Sequence, residues 1–218
     1  MKRILITALL CFLLALQSCI DIIEEITVNK DGSGKVNVYL DMGSFAPMLS
    51  QVDKFIEVSF YNEIKSAPVV AAKNLGKIEG LTKIQPVVNE SKGVFGISFE
   101  FPTPKHLNKA YYMLLERKKR FWQPGLMKAR EEKFVRRNLA PIIRFIIKKH
   151  YSDIKDISVL KYISYKTAYK FGRTVSSFKN KQAEASWSNQ GVQQECTLYD
   201  LFNEKELNIG NKVKISGK

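Results

Sequence analysis

Apolar and polar residues alternate on both sides of the stretch KDGSGK, residues 30–35. Ile26 and Val28 keep the two-residue period before it, and Val36, Val38 and Leu40 keep it after. That pattern predicts two strands folded about a turn. From Ser44 to Ser66 the spacing changes. Phe45, Met48, Leu49, Val52, Phe55, Ile56 and Phe60 recur at helical intervals, with Ser44 as N-cap and Pro47 in the first turn. A second pair of strands follows, LTKIQPVV and GVFGISFEF, in which Pro86 calls for an edge or a bulge. Thr103 and Pro104 then open a helix carrying Leu107, Ala110, Tyr111 and Leu114 on one face.

After the break QPGLM, the pattern predicts a long amphipathic helix reaching His150. Val135, Leu139, Ile142, Ile143, Ile146 and Ile147 form its stripe, and Pro141 kinks or restarts it. From Ile157 onward, VLKYISYKTAYKF, GRTVSSF, QAEASWS and VQQECTLYDLF read as a meander ending in VKISGK. The expectation is one α+β domain with a largely antiparallel sheet and helices packed on one face. The order strand-strand-helix occurs twice, but the two halves share almost no residues, so a duplication is poorly supported.

The first residues stand apart from this domain. Lys2 and Arg3 precede an apolar run from Ile4 to Leu16. The run is shorter than the roughly 20 residues of a membrane-spanning helix, and suits the apolar core of an export signal. It ends in LQSC, Leu16 to Cys19, which resembles the lipobox of bacterial lipoproteins. The resemblance implies a signal peptide of residues 1–18, cleavage before Cys19 and acyl chains on that cysteine. Gln17 is bulkier than the residue often found at its place. Each buried methylene contributes about 0.8 kcal/mol, so two or three acyl chains anchor far more firmly than one. Residues 19–218 are then a single lipid-anchored domain outside the cytoplasm.

Cysteine usage agrees with this reading. Cys11 leaves with the signal, Cys19 carries lipid, and Cys196 is left without a disulfide partner. Cys196 lies in an expected strand and reads as a small packed residue.

Charge adds a second theme. The chain carries a formal +14, of which Lys2 and Arg3 account for two. Residues 116–150 hold twelve Lys/Arg against three Glu, a net +9. This basic helical segment, with Phe121, Trp122, Phe134 and Phe145 interleaved, would suit nucleic acid in another compartment. For an exported protein, anionic lipid head groups, an acidic envelope polymer or a protein partner are the available choices, and nucleic acid is not expected. The residues expected to contact such a surface are Arg117, Lys118, Lys119, Arg120, Lys128, Arg130, Arg136 and Arg137. The same charges also suit a solvated helix face that keeps the domain soluble.

Signatures of chemistry are missing from the pattern. A phosphate loop needs glycine where Asn29 stands and a hydroxyl where Val36 stands. Asp31, Ser33 and Lys35 do not make a calcium loop. His106 and His150, with a single unlipidated thiol, do not suggest a zinc site. No G-x-S-x-G turn occurs. Glu24-Glu25 and Glu131-Glu132 are adjacent pairs, and neighbours on a strand or helix point apart. The expectation is no enzyme, no cofactor and no metal. An envelope glycan or lipid hydrolase is the alternative, and it requires convergent titratable groups in a cleft.

ITVNKDGSGKVNVYLDM, soon after a lipid-bearing cysteine, resembles the opening of small bacterial lipoproteins of the LppM type and related Bacteroidetes lipoproteins. YKTAYKFGRTVSSFKNKQAEASWSNQGVQQECTLYDLF resembles their later strands, although Phe171-Gly172 replaces a frequent Pro-Gly and the basic segment between has no counterpart. The resemblance implies an envelope lipoprotein, in the outer membrane first, with no catalytic residues to carry over. Ile20 and Asp21 leave the periplasmic face of the inner membrane and the cell surface open.

Overall fold

The alternation around KDGSGK forms the hairpin it predicts. In the computed structural model, which describes residues 20–43, 60–115, 125–150 and 157–216, strand β1 (Ile20–Val28) pairs antiparallel with β2 (Gly34–Asp41). The turn is closed by backbone and side chain together. Asn29 donates its N–H to Ser33 at 2.8 Å, and Ser33 donates its hydroxyl to Asp31 at 2.7 Å. Hydrogen bonds from the side chain and the backbone of Ser33 hold the Asp31 carboxyl below its ordinary pKa. Gly32 takes φ +84°, a conformation that favours glycine. At Gly34 the need is for space: a Cβ there would stand 2.0 Å from the Thr27 carbonyl and 2.6 Å from the Phe101 ring.

The second predicted hairpin is also present, as β3 (Thr82–Asn89) and β4 (Val94–Phe101). With β7 (Ile163–Phe171), β9 (Ala183–Ser186) and β10 (Gly191–Thr197) these strands form one seven-stranded sheet, ordered β3-β4-β2-β1-β7-β10-β9. It is antiparallel except where β1 runs parallel to β7. Pro86 lies on the edge strand β3, where a missing donor is tolerated.

One face of this sheet is apolar. Ile26 and Val28, Val36, Phe99 and Phe101, Tyr169 and Phe171, and Val192 are buried there in register across five strands. The opposite face balances its charges. Lys166 reaches Asp21 at 2.7 Å and Glu195 at 3.7 Å, and Asn37 donates to Glu25 at 3.1 Å.

Helices α1 (Phe60–Leu75), α2 (Pro104–Leu114) and α4 (Leu198–Asn203) contribute Leu75, Leu107, Ala110, Tyr111 and Leu201 to the same core. The fold class is therefore α+β, as expected. The expected helix over residues 44–66 falls mostly outside the described residues. Its described part, α1, continues nine residues beyond Ser66, through Pro68. Val69 and Val70 are 57% and 55% exposed, so apolar residues there do not mark the buried face and the helical period is lost.

A larger departure lies in the basic segment. The long helix is not present between residues 127 and 136. Met127–Arg130 is strand β5 and Lys133–Arg136 is strand β6, and helix α3 (Ala140–His150) starts afterwards with Pro141 in its first turn. A second, four-stranded sheet results, ordered β5-β6-β11-β8, with β8 at Val175–Phe178 and β11 at Asn211–Ile215. It lies over the apolar face of the first sheet. The Phe134 ring sits 5.3 Å from that of Tyr169 and 5.5 Å from that of Phe171. Buried amides fit the irregular chain around it. Asn108 of α2 donates to the Met127 carbonyl at 2.7 Å and accepts from the Met127 N–H at 2.9 Å. Asn180 donates to the carbonyls of Asn208 and Gly210 at 2.6 and 2.8 Å.

The two sheets are also joined by charge. Glu24 stands on the buried face of β1, in register with Val38 and Thr167. Arg136 of β6 meets it with two donors, Nε at 3.1 Å from one carboxylate oxygen and Nη2 at 2.6 Å from the other. Nη1 donates to the Ile209 carbonyl at 2.8 Å, Nη2 also donates to the Tyr165 hydroxyl at 2.8 Å, and that hydroxyl donates to Glu24. Arg136 is 2% exposed and Glu24 3%. The expectation that Arg136 contacts an outside surface is corrected: the two-residue period of β6 turns it inward, beside Phe134.

Burial pulls the Arg136 pKa down, but the Glu24 carboxylate and the surrounding phenols carry it well above the usual guanidinium value. Burial raises the Tyr165, Tyr111 and Tyr169 pKa values above the ordinary phenol value; Glu24 adds to the rise and Arg136 opposes it.

Breaking a buried pair by removing one partner costs about 3–5 kcal/mol, because the other charge is left without compensation. Arg136→Met is expected to lower the unfolding free energy by about that amount in urea titration. A loss under about 1 kcal/mol would show that the bridge is not needed. Alkaline stability follows from the phenols. Their folded-state pKa values are raised, so their contribution is complete below the unfolded phenol value of about 10 and is lost as pH rises past it. With three such groups the loss should approach about 4 kcal/mol per pH unit in denaturant melts above about pH 10. A flat profile to pH 12 would contradict their burial.

Candidate functional site

Among the described residues no three His, Cys, Asp or Glu stand close enough together to hold a metal. Cys196 is half-buried in β10, and burial, with the Asp200 and Glu195 carboxylates, pushes its thiol up to about 12. It is a thiol, not a thiolate, at neutral pH. His106 uses Nδ1 at 2.8 Å from the Thr103 hydroxyl, which ties together the first turn of α2. The Glu24 side chain enters the core, whereas Glu25 lies on the opposite face and accepts from Asn37. Thr197 begins α4 with a reciprocal capping box, its hydroxyl and N–H bonded to Asp200 and the Asp200 N–H bonded back to it. The T-x-x-D spacing that signals such a cap was readable in the sequence.

The strongest chemical feature is the outer face of the small sheet. The period that sends Phe134 and Arg136 inward sends Lys133 and Val135 outward. Register then aligns charges across three strands. Lys128 of β5 and Lys212 of β11 both pair with Val135, while Arg130 and Lys214 both pair with Lys133. Together they make two cross-strand rows, Lys128-Val135-Lys212 and Arg130-Lys133-Lys214, with Arg137 just beyond the end of β6. Like charges directly opposite one another destabilise a strand pair. Here Arg130 opposes Lys133, and Lys133 opposes Lys214.

The face is concave. Gly125, Lys128, Arg130, Lys133, Val135, Arg137 and Lys212 line a groove of about 320 Å³. No carboxylate is among them, and among the described residues none of these cations is in a salt bridge. Lys133, and after it Lys214, crowd Lys212 and lower its pKa. Glu131 and Glu132 occupy the exposed β5–β6 turn and lie outside the lining. The arrangement can hold a dense anion by charge and by Lys and Arg hydrogen bonds, with Val135 between the cations. Among the described residues its lining holds no carboxylate, thiol, hydroxyl or imidazole.

The sequence-predicted contact residues divide accordingly. Lys128, Arg130 and Arg137 come together on this face, and Arg136 is buried beneath it. Arg117, Lys118, Lys119, Arg120 and Cys19, the expected site of lipid attachment, lie outside the described residues. Lys133, Lys212 and Lys214 were missed. Lys133 was hidden by reading a helix, and the other two lie some 80 residues away and arrive only through the pairing of β11 with β6.

Among the described residues no helix is long and apolar enough to cross a membrane. No family model matches the sequence, and no curated protein matches it. Among solved structures the chain is similar to the folded domain of the LppM protein of Mycobacterium tuberculosis, determined by NMR, at a TM-score of 0.44 and 8% identity, over 91% of this chain and 90% of that one.

Proposed function

We propose that this chain is a lipid-anchored cell-envelope protein that binds an anionic partner through the outer face of its four-stranded sheet and catalyses no reaction. The observation that carries the binding role is the two rows of register-matched cations, all but Lys214 lining a groove with no carboxylate among its described lining residues. The first sheet, in the same molecule, sets Lys166 against two carboxylates. A sheet face left repulsive costs stability, and neutralisation by a bound anion offsets that cost. The anchoring role rests on LQSC and the apolar run before it. Strand β1 begins at Ile20, so the acylated Cys19 would hold that end of the large sheet beside the membrane. The outer membrane is the assignment we make.

Cys19→Ala is expected to move the protein from the detergent phase to the aqueous phase in a detergent-partition assay. Unchanged partition would remove the anchoring role. For binding, Arg130→Glu/Lys212→Glu should abolish salt-sensitive retention on a polyanionic resin, while Lys73→Glu/Lys105→Glu, with the same net charge but outside the groove, should retain it. Equal behaviour of the two double variants would show net charge, not this face, at work.

A further inference from the structure

We infer that the groove between β5, β6 and β11 is a site for a soluble chain of closely spaced phosphate groups, and not a footprint for the membrane that carries the anchor. The inference deepens the anion-binding role just proposed and rests on it. Three observations favour this occupant.

The first is charge density. Neighbouring strands are about 4.8 Å apart and alternate residues of one strand about 6.7 Å apart. Lys128, Arg130, Lys133, Lys212 and Lys214 therefore crowd five positive charges into a patch about 10 Å by 7 Å on one face. A linear chain of linked phosphates carries a charge at every linkage and can match them over that span. A polymer with one carboxylate on each sugar is sparser and would leave cations unmatched. Lysine suits phosphate as a point charge, and arginine as a fork.

The second observation is shape. The cations line a concavity of about 320 Å³ with Val135 and Gly125 among its walls. A chain can enter such a groove, whereas a plane of head groups meets only its rim. Among the described residues Val135 is also the one apolar side chain in the lining, and none of them there is an aromatic anchor of the kind that settles at a lipid interface.

Position supplies the third. Arg136 meets Glu24, and Arg130 and Phe134 lie beside Val28 at the far end of β1. The groove thus lies alongside residues five to nine positions beyond Cys19. At about 3.3 Å per residue that is roughly 15–30 Å along the strand, against a screening length of about 8 Å at physiological salt. An anchored domain standing on the Ile20 end holds these cations beyond the field of the head groups and open to solution.

The test uses the full-length lipidated protein in a nonionic detergent, titrated calorimetrically with short linear polyphosphate, polygalacturonate and phosphatidylglycerol vesicles. Polyphosphate should bind, and its affinity should fall steeply between about 50 and 200 mM salt. Lys133→Gln and Lys212→Gln should each weaken it about three- to tenfold and flatten the salt slope by about 0.7. The same substitutions relieve repulsion, so the unliganded variants should melt at the same temperature or higher, which a merely structural role would not produce. Lys73→Gln should change none of these values. If polygalacturonate or the vesicles bind through Lys133 and Lys212 as tightly as polyphosphate, the phosphate-chain assignment is overturned and the anion-binding role stands. If none of the three probes responds to those substitutions, both are overturned.

Discussion

The contact between Glu24 and Arg136 decides how the rest of the molecule can be arranged. It joins β1 of one sheet to β6 of the other across 112 residues of sequence, with both side chains nearly excluded from water. Two charges in such a place need hydrogen-bond partners beyond each other, and Tyr165 and the Ile209 carbonyl supply them. The apolar contacts around it, Phe134 on Tyr169 and Phe171, would tolerate several relative positions of two sheets. A bidentate guanidinium–carboxylate pair tolerates very few. The bridge therefore sets register between the sheets more than it adds stability.

The same choice of register determines the outer surface. A strand has two faces, so holding Arg136 inward commits Lys133 and Val135 to the outside. Pairing with β5 and β11 then places Arg130 and Lys214 against Lys133. The protein thus pairs its buried charge, while on the same small sheet the exposed cations form no salt bridge among the described residues. The buried bridge and the outer cationic face are linked through a single strand of four residues.

Much of the fold was legible in the sequence because pattern and turn chemistry agreed. The hairpin at KDGSGK, the edge position of Pro86, and the helix opened by Thr103 and Pro104 all have short-range causes. The β5–β6 hairpin was not legible, and the reason is specific. One of its inward positions is Arg136, so the two-residue alternation read as charge and the isoleucines of α3 extended a helical stripe backward over it. Only Glu24, far away in sequence, makes an arginine acceptable there. The cationic face was half legible for the same reason. Lys128, Arg130 and Arg137 belong to an evident basic run, but Lys212 and Lys214 join them through a strand pairing that no local signal announces.

The most direct test of this account is the coupling energy between Glu24 and Arg136 in a double-mutant cycle. Glu24→Leu, Arg136→Met and the double variant would be compared by urea unfolding, with the fold monitored by amide exchange in β6. The account predicts that the double variant is more stable than either single variant, with a coupling of at least about 2 kcal/mol. Additive losses from the two substitutions would contradict it, since they would mean that Glu24 and Arg136 contribute to the core independently and that the sheets find their register without the bridge.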